Sequence, residues 1–252
     1  GSCPMQLSEL EFDGERILSS DEMLSMSSIP PSLLIVGGGV IGCEFASLFS
    51  NLGSRVTIVE KADNLLPLED LEVSRKIEAS FRKRGINVNT RADVSSINLD
   101  EFQKILVAVG RKSNINIPGI EKAGVLVNNG KIKVDEYLRT SVENIYAAGD
   151  CSSDIMLANF AGYQGVLAAD NISGKSRKID SSRIPNVVFI DPEMASVGLN
   201  EKLAKEKGFR VNIHRFDYMA SAMARIIDET SGFVKLISES ETGVFLGASI
   251  VG

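Results

Sequence analysis

The 252-residue chain has no tryptophan, one histidine, three cysteines and seven prolines. A lone histidine, His214, cannot build a histidine-rich metal site. Cys3, Cys43 and Cys151 are too far apart in sequence for a metal knuckle or a close redox pair. Odd in number and scattered, they exclude a disulfide framework and read as small buried hydrophobes in a reducing compartment. Excess positive charge is also missing: 27 Lys and Arg face 33 Asp and Glu, a net charge of −6. Without a basic stripe, nucleic acid is excluded as a partner. The longest uncharged apolar run, Leu33 to Cys43, is too short to cross a bilayer and contains four glycines. The first residues lack the layout of a signal peptide. These absences predict a soluble, cytoplasmic protein with no membrane partner and no metal.

What is present suits a globular protein: 44% of residues are hydrophobic, enough for one large or two small cores. "SSDE" (Ser19 to Glu22) offers a capping-box helix start within a linker that runs to Pro31. "LLIV" (Leu33 to Val36) reads as a strand buried on both faces. Helical spacing follows in Phe45, Leu48, Phe49 and Leu52, closed by Gly53. "RVTIVE" (Arg55 to Glu60) is a second strand. Val73, Ile77 and Phe81 mark a helix over Leu71 to Arg84 that ends at Gly85, and Ile86 to Val88 begins a third strand. This alternation predicts an α/β fold, a Rossmann-type doubly wound domain. Lys104 to Gly110 and Asn144 to Asp150 read as further buried strands, and Met156 to Ile172 as a helix. Beyond the polar boundary at Ser173 to Arg183 come strands at Asn186–Ile190, Arg210–Phe216, Gly232–Ser238 and Val244–Val251, with a short helix after the first. A hairpin turn at Glu239 to Gly243 joins the last two. They predict a separate α+β domain.

The glycine run "GGGVIG" sits where a dinucleotide fingerprint belongs, directly after a buried strand and before a helix. Gly37 permits the tight turn, the bare Gly39 lets a pyrophosphate approach the backbone, and Gly42 lets the helix pack closely on the strand. N–H groups and the dipole of the helix start would hold the phosphates. Glu60, about twenty residues on, ends the second strand as an acid for the adenosine ribose 2′-OH should, and its charge favours NAD over NADP. The competing reading is a plain turn with a solvated strand end. Glu44, in the first helical turn, either complements the dipole or, pointing away from the pyrophosphate, meets the nicotinamide. Asp150 in "YAAGD" has a bland reading as a turn residue, and His214 as an ordinary strand residue.

Taken together, "GGGVIGCEFASLFSNLGSRVTIVE", "LLPLEDLEVSRKIEASFRKRGI", "ILVAVGRKSN", "TSVENIYAAGD", "IMLANFAGYQG", "NVVFIDPEMASVGL" and "FLGASIVG" resemble the pyridine nucleotide-disulfide oxidoreductases, and their lipoamide-oxidising branch most. The resemblance implies that Gly37, Gly38, Gly39, Val40, Ile41 and Gly42 hold the NAD pyrophosphate, Glu44 the nicotinamide amide and Glu60 the ribose. It further implies Val94 beside the adenine and Gly110 under the dinucleotide. Asp150 would bind the ribityl chain of FAD, and Met156, Leu157 and Ala158 would meet the flavin ring through their backbone. NAD and FAD are the implied cofactors. The implied partners are a second copy of the chain and the lipoyl domain of a 2-oxo acid dehydrogenase complex. Mercury-reducing and transhydrogenase branches, or a non-catalytic NAD-binding module, are the alternatives.

Residues 1–30 then read as a linker and the end of an FAD-domain segment, 31–143 as the NAD-binding domain, 144–180 as a further FAD-domain segment, and 181–252 as a truncated interface domain. The family's redox cysteine pair, its first FAD fingerprint and its catalytic histidine motif have no match here, so no residue of this chain is assigned a catalytic role. An excised portion of a longer enzyme is expected, binding NAD weakly and inactive alone. A further departure is the short passage from the third strand to Lys104, where relatives carry a β-meander.

Overall fold

A computed structural model describes residues 1–252. The first elements are β1 (Ser2–Pro4), β2 (Ile17–Leu18) and α1 (Ser20–Met23). The Ser19 side chain and that of Glu22 form the reciprocal capping box expected for α1. Then come β3 (Ser32–Val36), α2 (Val40–Asn51), β4 (Arg55–Val59), α3 (Leu71–Lys83), β5 (Asn87–Asn89) and β6 (Lys104–Val107). Short strands β7 (Arg111–Ser113), β8 (Val127–Asn128) and β9 (Lys131–Ile132) precede α4 (Ala158–Ile172). The last stretch carries β10 (Asn186–Val188), β11 (Met194–Gly198), α5 (Glu201–Glu206), β12 (Val211–Asp217), α6 (Ala222–Ile226), β13 (Phe233–Glu239) and β14 (Phe245–Val251).

The chain divides into two compact units, one of residues 1–5 and 111–184, the other of 6–110 and 185–252. The larger unit contains a parallel sheet in the order β2-β6-β3-β4-β5. Leu33 and Ile35 of β3 face a core shared with Phe45, Phe49, Val73, Ile77 and Phe81 of the two helices. Leu34 and Val36 face the other way, onto Leu10, Val94 and Phe102. Both faces are therefore covered, which is why β3 reads as an unbroken apolar run rather than an alternating one. The second face is roofed by the segment around Leu10 and two 3-10 turns, Val94–Ser96 and Leu99–Glu101, which make up the short passage between β5 and β6. Ile17–Leu18, within the stretch read as a linker, pairs with β6 at the sheet edge.

The same unit holds an antiparallel sheet in the order β10-β11-β14-β13-β12. Its Val188, Met194, Phe233 and Val251 join the core beneath α2 and α3. The hairpin between β13 and β14 closes as the sequence predicts, with Gly243 at φ +72° and a Glu239 N–H to Val244 O bond of 2.8 Å. A buried ammonium also ties this sheet to α3. Lys235 of β13, 4% exposed, places Nζ 3.0 Å from both oxygens of Asp70, 2.9 Å from Glu201 and 3.4 Å from Glu72. Asp70 is also the N-cap of α3. Arg215 of β12 adds a bridge of 3.0 Å to Glu72.

In the smaller unit, β1 pairs with β7 and β8 with β9, both antiparallel. Asn144 to Asp150 does not form the strand read from its apolar pattern. Tyr146 makes only an isolated bridge to Arg139, closed by Thr140 N–H to Ile145 O and Ala147 N–H to Leu138 O, while the Ile145 N–H turns back to Val142 O and the Gly149 N–H goes to the Gln164 side chain at 2.7 Å. With the Ile145 and Gly149 donors committed elsewhere, the pairing does not extend beyond that bridge.

Candidate dinucleotide-binding site

From β3 the chain steps through α2 to β4 and then β5 on one side, and afterwards crosses back to β6 on the other, so the strand order reverses between β3 and β6. A crevice at this reversal is where open α/β sheets place ligands, and Gly37 to Gly42 occupy it. Each glycine in the run meets a different surrounding. Gly37 has φ +109°, and a Cβ there would lie 2.4 Å from Ala108 O in the loop after β6. A Cβ on Gly42 would lie 1.9 Å from Gly37 O, so α2 can begin this close to the strand only with a bare backbone. Around Gly39 a Cβ would meet nothing within 4 Å. The space above Gly39 is open, as a backbone cradle for a phosphate needs.

Helix capping separates the two helices assigned to cofactors from the rest. Ser19, Asp70, Asn200 and Ser221 cap α1, α3, α5 and α6 with their side chains. Gly39 of α2 and Leu157 of α4 provide no side-chain cap. The N–H groups at the very start of these two helices thus keep donor capacity for an external acceptor, although in α4 the Phe160 N–H is taken by Asn159 Oδ1 at 3.0 Å. Gly39, Val40 and Ile41 present theirs at the glycine loop, and Leu157 and Ala158 theirs at the start of α4.

Glu60 stands at the loop. Its Oε2 accepts the Gly38 N–H at 2.5 Å, and its Oε1 accepts the Ala62 N–H at 2.6 Å. Beside it, Lys61 makes a long bridge of 3.9 Å to Asp93, so the one neighbouring cation is engaged by an acid. Gly110, at φ +125°, ends the loop after β6 whose Ala108 lies against Gly37. Val94 is 7% exposed and packs with Val36, Val59 and Val107.

Glu44 points off the helix start. Its Oε1 accepts the Phe189 N–H at 2.9 Å. Half-burial pushes its carboxyl above the usual glutamate range, and the Phe189 amide partly offsets this. Two further residues on the same face of α2 hold the same segment. Ser47 accepts the Asp191 N–H at 3.1 Å, while Asn51 accepts from Arg84 at 2.6 Å, and the Arg84 guanidinium donates to Asp191 O at 2.5 Å. Sequence reasoning missed this clasp. The only signal for it was the spacing of Glu44, Ser47 and Asn51 at three and four residues.

Cys43 is buried, with its thiol on Gly38 O at 3.3 Å. Burial first, then the nearby charges of Glu60, Glu44 and Glu78, push that thiol far above its ordinary range, so it stays protonated and inert.

In the smaller unit, Asp150 is held on several sides. Ser2 donates its hydroxyl to Asp150 Oδ2 at 2.5 Å, and Arg111 Nε donates to Ser2 Oγ at 2.8 Å. Ser113 donates to the Asp150 carbonyl. Gln164, 2% exposed on α4, holds the adjacent Gly149 amide. This is a carboxylate of fixed orientation rather than a loose turn residue. Met156 and Leu157 are half-buried and Ala158 exposed just before and at the start of α4. His214 lies exposed on β12 with a ring nitrogen 3.4 Å from Ser238 Oγ.

Comparison with known proteins gives the arrangement a lineage. Residues 2–165 match the family model for pyridine nucleotide-disulphide oxidoreductases, and residues 184–252 match that family's dimerisation domain. A dihydrolipoyl dehydrogenase of Chlamydia pneumoniae is 40% identical over the whole chain, and one of Bacillus subtilis 38% identical. The chain spans 58% and 57% of their lengths. Among solved structures, LpdA from Mycobacterium tuberculosis superposes with a TM-score of 0.91 at 29% identity, covering all of this chain and 58% of that one. The HOCl-induced flavoprotein disulfide reductase RclA from Escherichia coli gives 0.87 at 28% identity, again over the whole chain and 62% of its own. From both stretches of sequence, which together take in nearly all of its residues, the chain belongs to the pyridine nucleotide-disulphide oxidoreductase family.

Proposed function

We propose that this chain carries the NAD site, part of the FAD site and the dimer-forming sheet of a dihydrolipoyl dehydrogenase, in which hydride passes between FAD and NAD. The observation that carries this reading is the open Gly39 at the uncapped start of α2, with Glu60 bound to the adjacent Gly38 N–H. The loop N–H groups bind the pyrophosphate, and Glu60 takes the adenosine ribose hydroxyls on the lone pairs its backbone contacts leave. A 2′-phosphate would meet that carboxylate as a like charge, which selects NAD. Glu44, turned toward Phe189, lies off the phosphates and orients the nicotinamide amide. Asp150 holds the ribityl chain of FAD, and the free amides at Leu157 and Ala158 face the flavin ring. Bound FAD supplies the two-electron chemistry; the protein supplies position and charge.

The apolar antiparallel sheet forms the contact with a second copy, and a lipoyl domain supplies the reducing dithiol. Titrating the chain with NADH and following the quenching and shift of nicotinamide fluorescence tests the nucleotide site. Saturable binding of NADH, with NADPH at least about tenfold weaker as a missing 2′-OH contact and an added like charge require, is the expected result. Equal affinity for both nucleotides would contradict the assignment of Glu60.

A further inference from the structure

Gly37, Gly38 and Gly39 are three consecutive residues without side chains, the sequence with the greatest backbone freedom to lose on ordering. A phosphate cradle made of them needs an outside brace, and besides the Cys43 thiol on Gly38 O and Ala108 against Gly37, the segment at the end of β4 provides one. Val59 O accepts the Gly37 N–H at 2.8 Å, and Leu66 donates its N–H to Gly38 O at 2.8 Å. Glu60 Oε2 accepts the Gly38 N–H at 2.5 Å. A Cβ on Gly38 would lie 2.5 Å from Leu65 Cδ2 and 3.0 Å from Glu60 Cβ, so the segment after β4 also presses on the loop from the side. Of the hydrogen bonds in this brace, the one from Glu60 is made by a side chain and can be removed without cutting the backbone.

We propose that Glu60 is a positioning residue for the phosphate loop as well as the reader of the ribose: it holds Gly38 in the conformation that aims the Gly39 and α2 amides at the pyrophosphate. An ionised carboxylate offers about four acceptor positions. Two serve the Gly38 and Ala62 amides, and two remain for ribose hydroxyls, so the roles coexist. Holding the loop in its binding conformation before the nucleotide arrives lowers the cost of ordering it on binding. This inference rests on the reading of the loop as an NAD site for its second half, and on the hydrogen bonds alone for its first.

The experiment uses the 252-residue chain with Glu60→Ala and Glu60→Gln, two ligands and one measurement without ligand. The ligands are NADH and its analogue lacking both adenosine ribose hydroxyls; the ligand-free measurement is amide hydrogen exchange at Gly37 to Gly39. A residue that only reads the sugar leaves the deoxy analogue indifferent to its removal. A brace does not: Glu60→Ala is expected to weaken the deoxy analogue at least about fivefold and to speed Gly38 exchange about tenfold or more, as loss of a charge-assisted bond implies. Glu60→Gln, whose amide oxygen can still accept from Gly38, is expected in between on both scales and carries the test if the alanine variant fails to fold. Unchanged affinity for the deoxy analogue overturns the effect on phosphate binding, and unchanged exchange at Gly38 overturns the brace. If the unsubstituted chain binds no NADH, the dinucleotide reading falls, while the exchange data still decide whether Glu60 holds the loop.

Discussion

Gly39 and Gly42 are three residues apart and have opposite reasons to be glycine. Gly42 faces Gly37 O at 1.9 Å from a would-be Cβ, whereas Gly39 faces open space at φ −74°. Gly42→Ala is therefore expected to cost several kcal/mol, at or above the roughly 1–3 kcal/mol of ordinary overpacking, seen as a lower denaturant midpoint. Gly39→Ala should change stability by less than about 1 kcal/mol, yet weaken NADH about tenfold or more because its methyl occupies the phosphate's place. Loss of stability without loss of affinity at Gly39 would reverse the two assignments.

Glu44 gives a pH test at the same scale. Its folded carboxyl is raised by desolvation from an ordinary value of 4.5, so near that pH the folded chain retains a proton that the unfolded chain has released. Stability on this account is greatest in acid and declines as pH rises through that range. Glu44→Gln keeps an acceptor for the Phe189 amide without a charge to desolvate. It is expected to match the parent below about pH 4 and to exceed it near pH 7, by urea midpoints measured across the range.

At the scale of elements, α3, α5 and β13 are joined by the Lys235 ammonium. Desolvation lowers its pKa, but the hydrogen bonds and charges of Glu201 and Asp70 together raise it further, and the net shift is upward. Glu201 moves the other way, its carboxyl held low by Lys205 and Lys235. The cluster's contribution is therefore present near neutrality. It is lost in acid as pH falls through the lowered Glu201 value, and in alkali as pH rises through the raised Lys235 value. Lys235→Met leaves Asp70 and Glu201 facing each other without their buried cation, and should cost about 3–5 kcal/mol. Restoring charge balance with Lys235→Met in a Glu201→Gln background should recover part of it. Equal losses in both backgrounds would show that the cluster contributes through packing, not charge.

For the whole molecule, the antiparallel sheet and its surroundings expose Phe216, Met219, Ile226 and Phe245 at 50% or more. These residues lie in the stretch that matches the family's dimerisation domain, and in the proposed reading they contribute to the contact with a second copy. Sedimentation equilibrium is expected to give an average mass above the monomer that rises with concentration. Phe245→Lys together with Ile226→Lys should bring it to the monomer value while leaving the β signal in circular dichroism unchanged. A monomer at every concentration in the parent would remove the association surface from the reading.

Short-range patterns were decisive wherever a residue's role depends on its near neighbours. The capping box at Ser19 and Glu22, the glycines closing α2 and α3, the buried run of β3 and the spacing of Gly37, Gly39 and Gly42 were all legible, because each is set by backbone sterics or by burial along one element. The stretch Asn144 to Asp150 misled for the same reason: apolar composition signals burial, but whether its amides join a ladder depends on where Val142 and Gln164 come to lie. Distant partnerships were left to the tertiary structure. Sequence left Glu44 between complementing the helix dipole and turning away from a pyrophosphate, and only the fold could select the Phe189 amide 145 residues on as its partner. Likewise, an acid at Glu60 was foreseeable from its distance along the chain, while its grip on Gly38 arises because parallel pairing brings the ends of β3 and β4 together. Local propensity fixes which residues can form a cradle; the long-range packing of strands fixes what holds it in shape.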